Sequence, residues 1–125
     1  MNTLSILVLD DNDDVRDEIV EFLELTGYTA VGLRCASEAL KAIEKSPPDI
    51  LILDLRMPDM DGMQVLEKLK AMNVHLDIIM ASGYVDQEME SKAKELGATA
   101  VLHKPLAVEA IIAAIQKTPS YKRKS

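Results

Sequence analysis

The residues best placed to do chemistry are acids crowded at the end of an apolar run. In ILVLDDNDD, residues 6–14, four apolar positions lead straight into Asp10, Asp11, Asp13 and Asp14. Like charges about 4 Å apart repel by roughly 4 kcal/mol at an effective dielectric of about 20, so some counter-charge must offset the crowding. A further acid, Asp54, closes a second apolar run, LILD. Ser82 and Gly83 follow a third, IIMA, and Lys104 with Pro105 follows a fourth, at residues 99–103. Three carboxylates, a hydroxyl and an ammonium at strand ends are the parts of a site for a hard cation and a phosphoryl group. Mg2+ takes oxygen ligands, keeps several waters, and is usually held by one or two carboxylates plus a phosphate. An ammonium can hold an incoming phosphoryl group and offset its charge. A rim hydroxyl can donate to a phosphoryl oxygen, and Gly83 leaves room for backbone approach.

Each residue also has a plainer reading. Acids just before a helix cap it, worth about 1 kcal/mol. Asn12, Asp13 or Asp14 could do that, but capping does not explain an acid at the end of another strand. A lone lysine usually snorkels to solvent, and a lone serine can be a turn residue. Their convergence on one rim is what favours the cation and phosphoryl chemistry.

That convergence needs elements to produce it. Short apolar runs at residues 4–9, 29–33, 49–53, 77–81 and 99–103 alternate with amphipathic stretches. ILVL, ILIL and IIMA are almost continuously apolar, as strands covered on both faces should be. Between the runs lie helical stripes: Val15, Ile19, Phe22 and Leu23; Ala39, Leu40 and Ile43; Val65, Leu66, Leu69 and Met72; and Val108, Ile111, Ile112 and Ile115. Residues 86–96 keep only Met89, Ala93 and Leu96, which predicts the loosest helix. Gly27 and Gly97 stand where C-terminal caps belong, and Pro47 with Pro48 separates the second helix from the third strand. Five β-α units predict an α/β fold with a parallel sheet and helices on both faces. An open, doubly wound sheet fits 125 residues, whereas a closed eight-unit barrel takes about 250. In such sheets ligands bind beyond the carboxyl ends of the strands, where the acids, Ser82 and Lys104 fall.

Composition narrows the function. Apolar residues make up 48% and charged ones 28%, so the chain can bury a core. A net charge of −7 argues against a nucleic-acid surface and suits a cation site or an acidic partner-facing patch. The single cysteine, Cys35, excludes an internal disulfide and reads as a packing residue. No run approaches the ~20 apolar residues of a membrane span, no signal peptide is visible, and a cytoplasmic location is expected. Residues 1–118 read as the domain and 119–125 as a basic tail or the start of a linker. His75 and His103 read as a surface-loop and a strand-end histidine. Met57, Met60 and Met63 surround the acidic loop, where core packing and partner contact are both open.

Taken together, LDDNDD, LILDLRMPDMDG, ASG after the fourth strand and HKPL after the fifth resemble the receiver domain of two-component response regulators, over essentially the whole chain. The resemblance implies a (βα)5, flavodoxin-like sheet in the order 2-1-3-4-5. It implies that Asp54 is the phosphoacceptor and that Asp10, Asp11, Asp54 and the backbone carbonyl of Arg56 hold Mg2+. It implies that Ser82 is the switch hydroxyl, that Lys104 is the paired lysine with a cis peptide to Pro105, and that Pro58 and Gly62 shape the following loop. The implied partners are a histidine kinase or phosphotransfer protein and an output domain or protein, with no membrane and no nucleic acid bound by the domain itself. No separate substrate turnover is expected.

One departure concerns the output. Many receivers carry Tyr or Phe three residues before the lysine, where this chain has Val101. Tyr84 is a candidate for part of that switch, or is simply a loop aromatic; Arg56 and Tyr84 also flank the expected phosphoryl position. Two further readings stand beside the stand-alone receiver. One is the N-terminal receiver of a DNA-binding regulator or a hybrid histidine kinase. The other, from a different class, is a Mg2+-dependent phosphohydrolase with an aspartyl nucleophile. Such enzymes place an acid two residues after the nucleophile, but here Asn12 follows Asp10 and Arg56 follows Asp54 at that spacing.

Overall fold

The computed structural model describes residues 3–55, 59–83 and 86–124. In chain order the elements are β1 (Ser5–Leu9), α1 (Asp13–Thr26), β2 (Thr29–Leu33), α2 (Ala36–Lys45), β3 (Ile50–Asp54), α3 (Gly62–Met72), β4 (Asp77–Ser82), α4 (Gln87–Glu95), β5 (Ala100–His103), α5 (Val108–Gln116) and α6 (Pro119–Lys124). All strand pairings are parallel, and the sheet order is β2-β1-β3-β4-β5. This is the doubly wound α/β architecture that the β-α alternation predicts, in the flavodoxin-like order that the resemblance implies.

Successive side chains along a strand point to opposite faces, so the apolar runs feed two cores. Leu7, Leu9, Leu51, Leu53, Ile78 and Met80 meet residues of α2, α3 and α4 on one face. Ile6, Val8, Ile50, Ile52 and Ile79 meet Ile19 and Leu23 of α1 and Ile111 and Ile115 of α5 on the other. Coverage on both sides is why ILIL shows no polar alternation. Each fully buried Leu or Ile adds roughly 1.5–3 kcal/mol of transfer free energy. Val108, read with the α5 stripe, is 39% exposed, because it opens the helix at the rim rather than over the sheet.

Local chemistry sets the helix ends. Asn12 caps α1 by accepting from the Val15 N–H, and Gly27 closes that helix at φ 108°, a conformation that strains any residue with a Cβ. Asp61 and Gln64 form a reciprocal capping box at the start of α3. Asp86 caps α4 through the Met89 N–H.

At the carboxyl end, residues Pro119–Lys124, expected as a basic tail or the start of a linker, form a short helix, α6, against the amino-terminal end of the sheet. The Ser120 N–H donates to Asp77 Oδ2 at 2.8 Å and its hydroxyl to the Asp49 carbonyl at 3.2 Å. Lys124 Nζ lies 3.0 Å from Asp49 Oδ2. Thr118 and Ser120 are buried, and Tyr121 packs against the α1/α5 core. Among the described residues, no helix is long and apolar enough to cross a membrane.

Candidate functional site

The site is built at the carboxyl ends of β1, β3, β4 and β5. Asp10 follows β1 and is 4% exposed. Its N–H donates to the Leu33 carbonyl at the end of β2 (3.2 Å), and its Oδ1 accepts from the Asn12 N–H (2.9 Å). Its carbonyl accepts from Arg16 Nη1 at 3.1 Å. Arg16 is further fixed by Asp13 at 2.8 Å, and its methylenes lie over Gly32, where a Cβ would sit 2.9 Å from them. The backbone at Asp10 is thus braced by β2 and by α1.

Asp54 is the last residue of β3 and is 8% exposed. The next residue, Leu55, donates its N–H to the Ala81 carbonyl at 3.0 Å, which extends the β3–β4 ladder past the acid. One carboxylate oxygen each from Asp10, Asp11 and Asp54 lies within 4.8 Å of the other two. Lys104 Nζ reaches between the two buried acids, 3.5 Å from Asp10 Oδ2 and 3.3 Å from Asp54 Oδ1. Ser82 ends β4 and is buried, and its carbonyl accepts from the Lys104 N–H at 2.8 Å. The Lys104–Pro105 peptide is cis, as the resemblance implies.

The electrostatics are lopsided. Three carboxylates and one ammonium sum to a formal −2, and a divalent cation would cancel it. The donors also suit such an ion, being hard oxygens with one acid, Asp11, open to water. With one oxygen of each acid within 4.8 Å of the other two, small side-chain rotations would bring the three onto a single ion. Asp10, Asp11 and Asp54 therefore fit a Mg2+ site.

The other predicted positions fall as follows. Arg56, Met57, Pro58 and Tyr84 lie outside the described residues, so the expected carbonyl ligand and the Tyr84 switch are not placed. Gly62 opens α3 beside the site; a Cβ there would meet Leu55 Cα at 2.9 Å and the Asp54 carbonyl at 3.2 Å. A Cβ on Gly83 would meet nothing within 4 Å, in keeping with open space for approach. Val101 packs against the core beneath α2, α3 and α4, as do Met60 and Met63. His75 and His103 are exposed, and Cys35 is half-buried with its thiol 3.6 Å from the Ser37 hydroxyl.

Two residues that bear on the site escape the sequence reading. Arg16, on the first helix, holds the Asp10 carbonyl. Asp59, in the loop after β3, accepts with its carboxylate from the Ala36 and Ser37 N–H groups at the start of α2, both at 3.1 Å. Those bonds hold its pKa below the ordinary carboxylate value. The available signal is indirect: α2 begins after Cys35, a residue type that caps poorly, so its first N–H groups need an acceptor from elsewhere.

A parallel sheet in this order with acids, a hydroxyl and a lysine on its carboxyl rim defines a receiver-type site. The response regulator receiver domain model matches residues 6–116, and the chain belongs to that family. It is 30% identical over 112 residues to sporulation initiation phosphotransferase F of Bacillus subtilis (strain 168), covering 90% of both chains. It is 31% identical over 119 residues to the C4-dicarboxylate transport transcriptional regulatory protein DctD of Rhizobium meliloti (strain 1021), covering 95% of this chain and 26% of that protein. Among solved structures, the CheY-like response regulator receiver domain protein of Methanospirillum hungatei JF-1 superposes with a TM-score of 0.87 at 28% identity, over 93% of each chain. The chain thus spans nearly all of one relative and about a quarter of another.

Proposed function

We propose that this receiver domain accepts a phosphoryl group on Asp54 from a partner's phosphohistidine, with Mg2+, and changes partner binding while it carries the group. The observation that supports this most is the Asp54 carboxylate itself. It is buried, within 4.8 Å of Asp10 and Asp11 and 3.3 Å from an ammonium. An anion attacking a phosphoryl group needs positive charge around it, and transfer of this kind requires little covalent help beyond positioning and electrostatics.

In the reaction, an Asp54 carboxylate oxygen bonds to phosphorus as the bond from phosphorus to the donor's imidazole nitrogen breaks. The bonding pair stays on that nitrogen, which then takes a proton from water. Lys104, already beside Asp54, pairs with the phosphoryl oxygens, and the Ser82 hydroxyl donates to one of them. Bound by Asp10, Asp11 and Asp54, with the Arg56 carbonyl as a further ligand, Mg2+ would neutralise charge on those oxygens. The product is a mixed anhydride. Water later attacks phosphorus, releasing inorganic phosphate and restoring the Asp54 carboxylate.

The proposed partners are a histidine kinase or phosphotransfer protein upstream and an output domain or protein downstream, in the cytoplasm. DctD is described as a transcriptional regulator that this chain matches over only 26% of its length. The two relatives, a transcriptional regulator and a phosphotransferase, support both an output domain and a separate partner protein as the downstream target.

Intact-mass measurement after incubation with acetyl phosphate tests the proposal. One labile phosphoryl increment is expected in Mg2+ and none in EDTA. Absence of an increment in both, or turnover of small phosphoesters without one, would overturn it and favour the phosphohydrolase reading in the second case.

A further inference from the structure

We propose that Asp59 is a positioning residue for phosphoryl acceptance: by tying the loop after Asp54 to the start of α2, it braces the two segments that carry the buried acids against each other. This rests on the reading of Asp54 as the phosphoacceptor.

Helix α2 enters from Cys35, which has extended backbone and offers no side-chain acceptor to the helix. The first N–H groups of a helix need acceptors. Asp59 supplies two, one carboxylate oxygen to Ala36 and the other to Ser37. An anion at a helix amino terminus meets the favourable end of the dipole, and charge-assisted bonds of this type are the stronger ones. The depressed pKa of Asp59 fits a carboxylate held by those two N–H groups.

What sets this apart from an ordinary cap is where the acceptor comes from. Asp59 lies 23 residues beyond Ala36, in the loop that leaves β3 five residues after Asp54. That loop is pinned at its ends, where the Leu55 N–H donates to Ala81 and the Gly62 N–H to the Leu55 carbonyl, and Asp61 caps α3. Asp59 adds an anchor on a different element. On the far side of the tie, α2 follows β2, whose last residue, Leu33, accepts the N–H of Asp10. The tie therefore closes a circuit: Asp10 to β2, β2 to α2, α2 to Asp59, and from Asp59 through Gly62, whose N–H donates to the Leu55 carbonyl, back to the residue after Asp54. Without it, Asp10 and Asp54 would be held next to each other by the Leu9–Leu53 pairing of β1 and β3 alone, and their side chains would lose the second constraint.

The test separates bracing from capping. Three variants are compared with the parent chain: Asp59→Ala, Asp59→Asn, and Asp59→Ala combined with Cys35→Asn. The Cys35→Asn change gives α2 a cap of its own without restoring the tie. The readouts are the Mg2+ dissociation constant by calorimetry, the rate of phosphoryl incorporation from acetyl phosphate, the urea midpoint, and hydrogen exchange at Ala36 and Ser37. Asp59→Ala is expected to weaken Mg2+ binding and slow incorporation by about fivefold each, the scale of one lost cap. Asp59→Asn should fall between it and the parent. In the double variant the urea midpoint and amide protection should recover while Mg2+ affinity and rate stay low. Recovery of all four in the double variant, or parent-like affinity and rate in Asp59→Ala, would overturn the positioning role. A parent chain that takes no label in Mg2+ would overturn the phosphoacceptor reading itself, whereas a labelled parent matched by Asp59→Ala overturns only the role of Asp59.

Discussion

Lys104 is where charges of both signs meet. Its ammonium lies 3.3 Å and 3.5 Å from the two buried acids and offsets part of their charge. The same group repels a divalent cation bound to those acids. Lys104→Met should therefore tighten Mg2+ binding, by tenfold or less (at most about 1.4 kcal/mol), in a calorimetric titration. Its labelling by acetyl phosphate should nonetheless slow, since the phosphoryl group loses a partner. Gly62 carries a constraint of space rather than charge. A methyl group there would press on Leu55 Cα at 2.9 Å, and backbone cannot move aside as a side-chain tip can. Gly62→Ala is expected to cost about 1–3 kcal/mol in urea unfolding, the range of overpacked sites, and to disturb the strand end that bears Asp54.

At the scale of elements, α4 buries the least of the five helices that pack on the faces of the sheet. Ala93 is its one buried residue, with Met89 and Leu96 only partly covered. Helix α3 buries Val65, Leu66 and Leu69. Since local opening tracks buried apolar contact, amides of Gln87–Glu95 should exchange faster than those of Gly62–Met72 in native-state hydrogen exchange. Equal protection would contradict this. The weak stripe was legible in the sequence, as were the five strands, because hydrophobic period and run length report directly on which faces are covered. The carboxyl-rim acids, Ser82 and Lys104 were legible for the same reason: each follows a run that reads as a strand. The α2 cap was not. It depends on Asp59, which meets Ala36 across 23 residues of chain through a turn that no local pattern encodes.

Across the whole molecule, the two ends of the sheet do different work. The carboxyl rim gathers the acids, and the amino-terminal edge anchors α6 through Asp49 and Asp77. PSYKRK has no apolar stripe, and its partners lie 43 to 75 residues away, so the sequence alone presents it as a tail. Burial pushes the Asp49 carboxyl up, but the Ser5 N–H, the Lys124 hydrogen bond and the charges of Lys124 and Arg123 outweigh it and hold the pKa below its usual value of 3.8. A carboxylate with a depressed folded pKa stabilises fully above its unfolded value and loses that contribution as pH falls through the folded one. The α6 anchor should therefore be constant near neutrality and weaken below about pH 4. The ion pair is partly exposed, worth about 1 kcal/mol or less. Asp49→Asn should accordingly speed tryptic cleavage after Lys122, Arg123 and Lys124 at neutral pH without unfolding the domain; unchanged cleavage would mean that α6 is held without Asp49.

The central claim concerns one carboxylate, and site-resolved mass spectrometry after acetyl phosphate treatment in Mg2+ tests it most directly. The parent chain should carry a single base-labile phosphoryl group on the peptide containing Asp54, and Asp54→Asn should carry none. A phosphoryl group on another residue, or undiminished labelling of Asp54→Asn, would contradict the account.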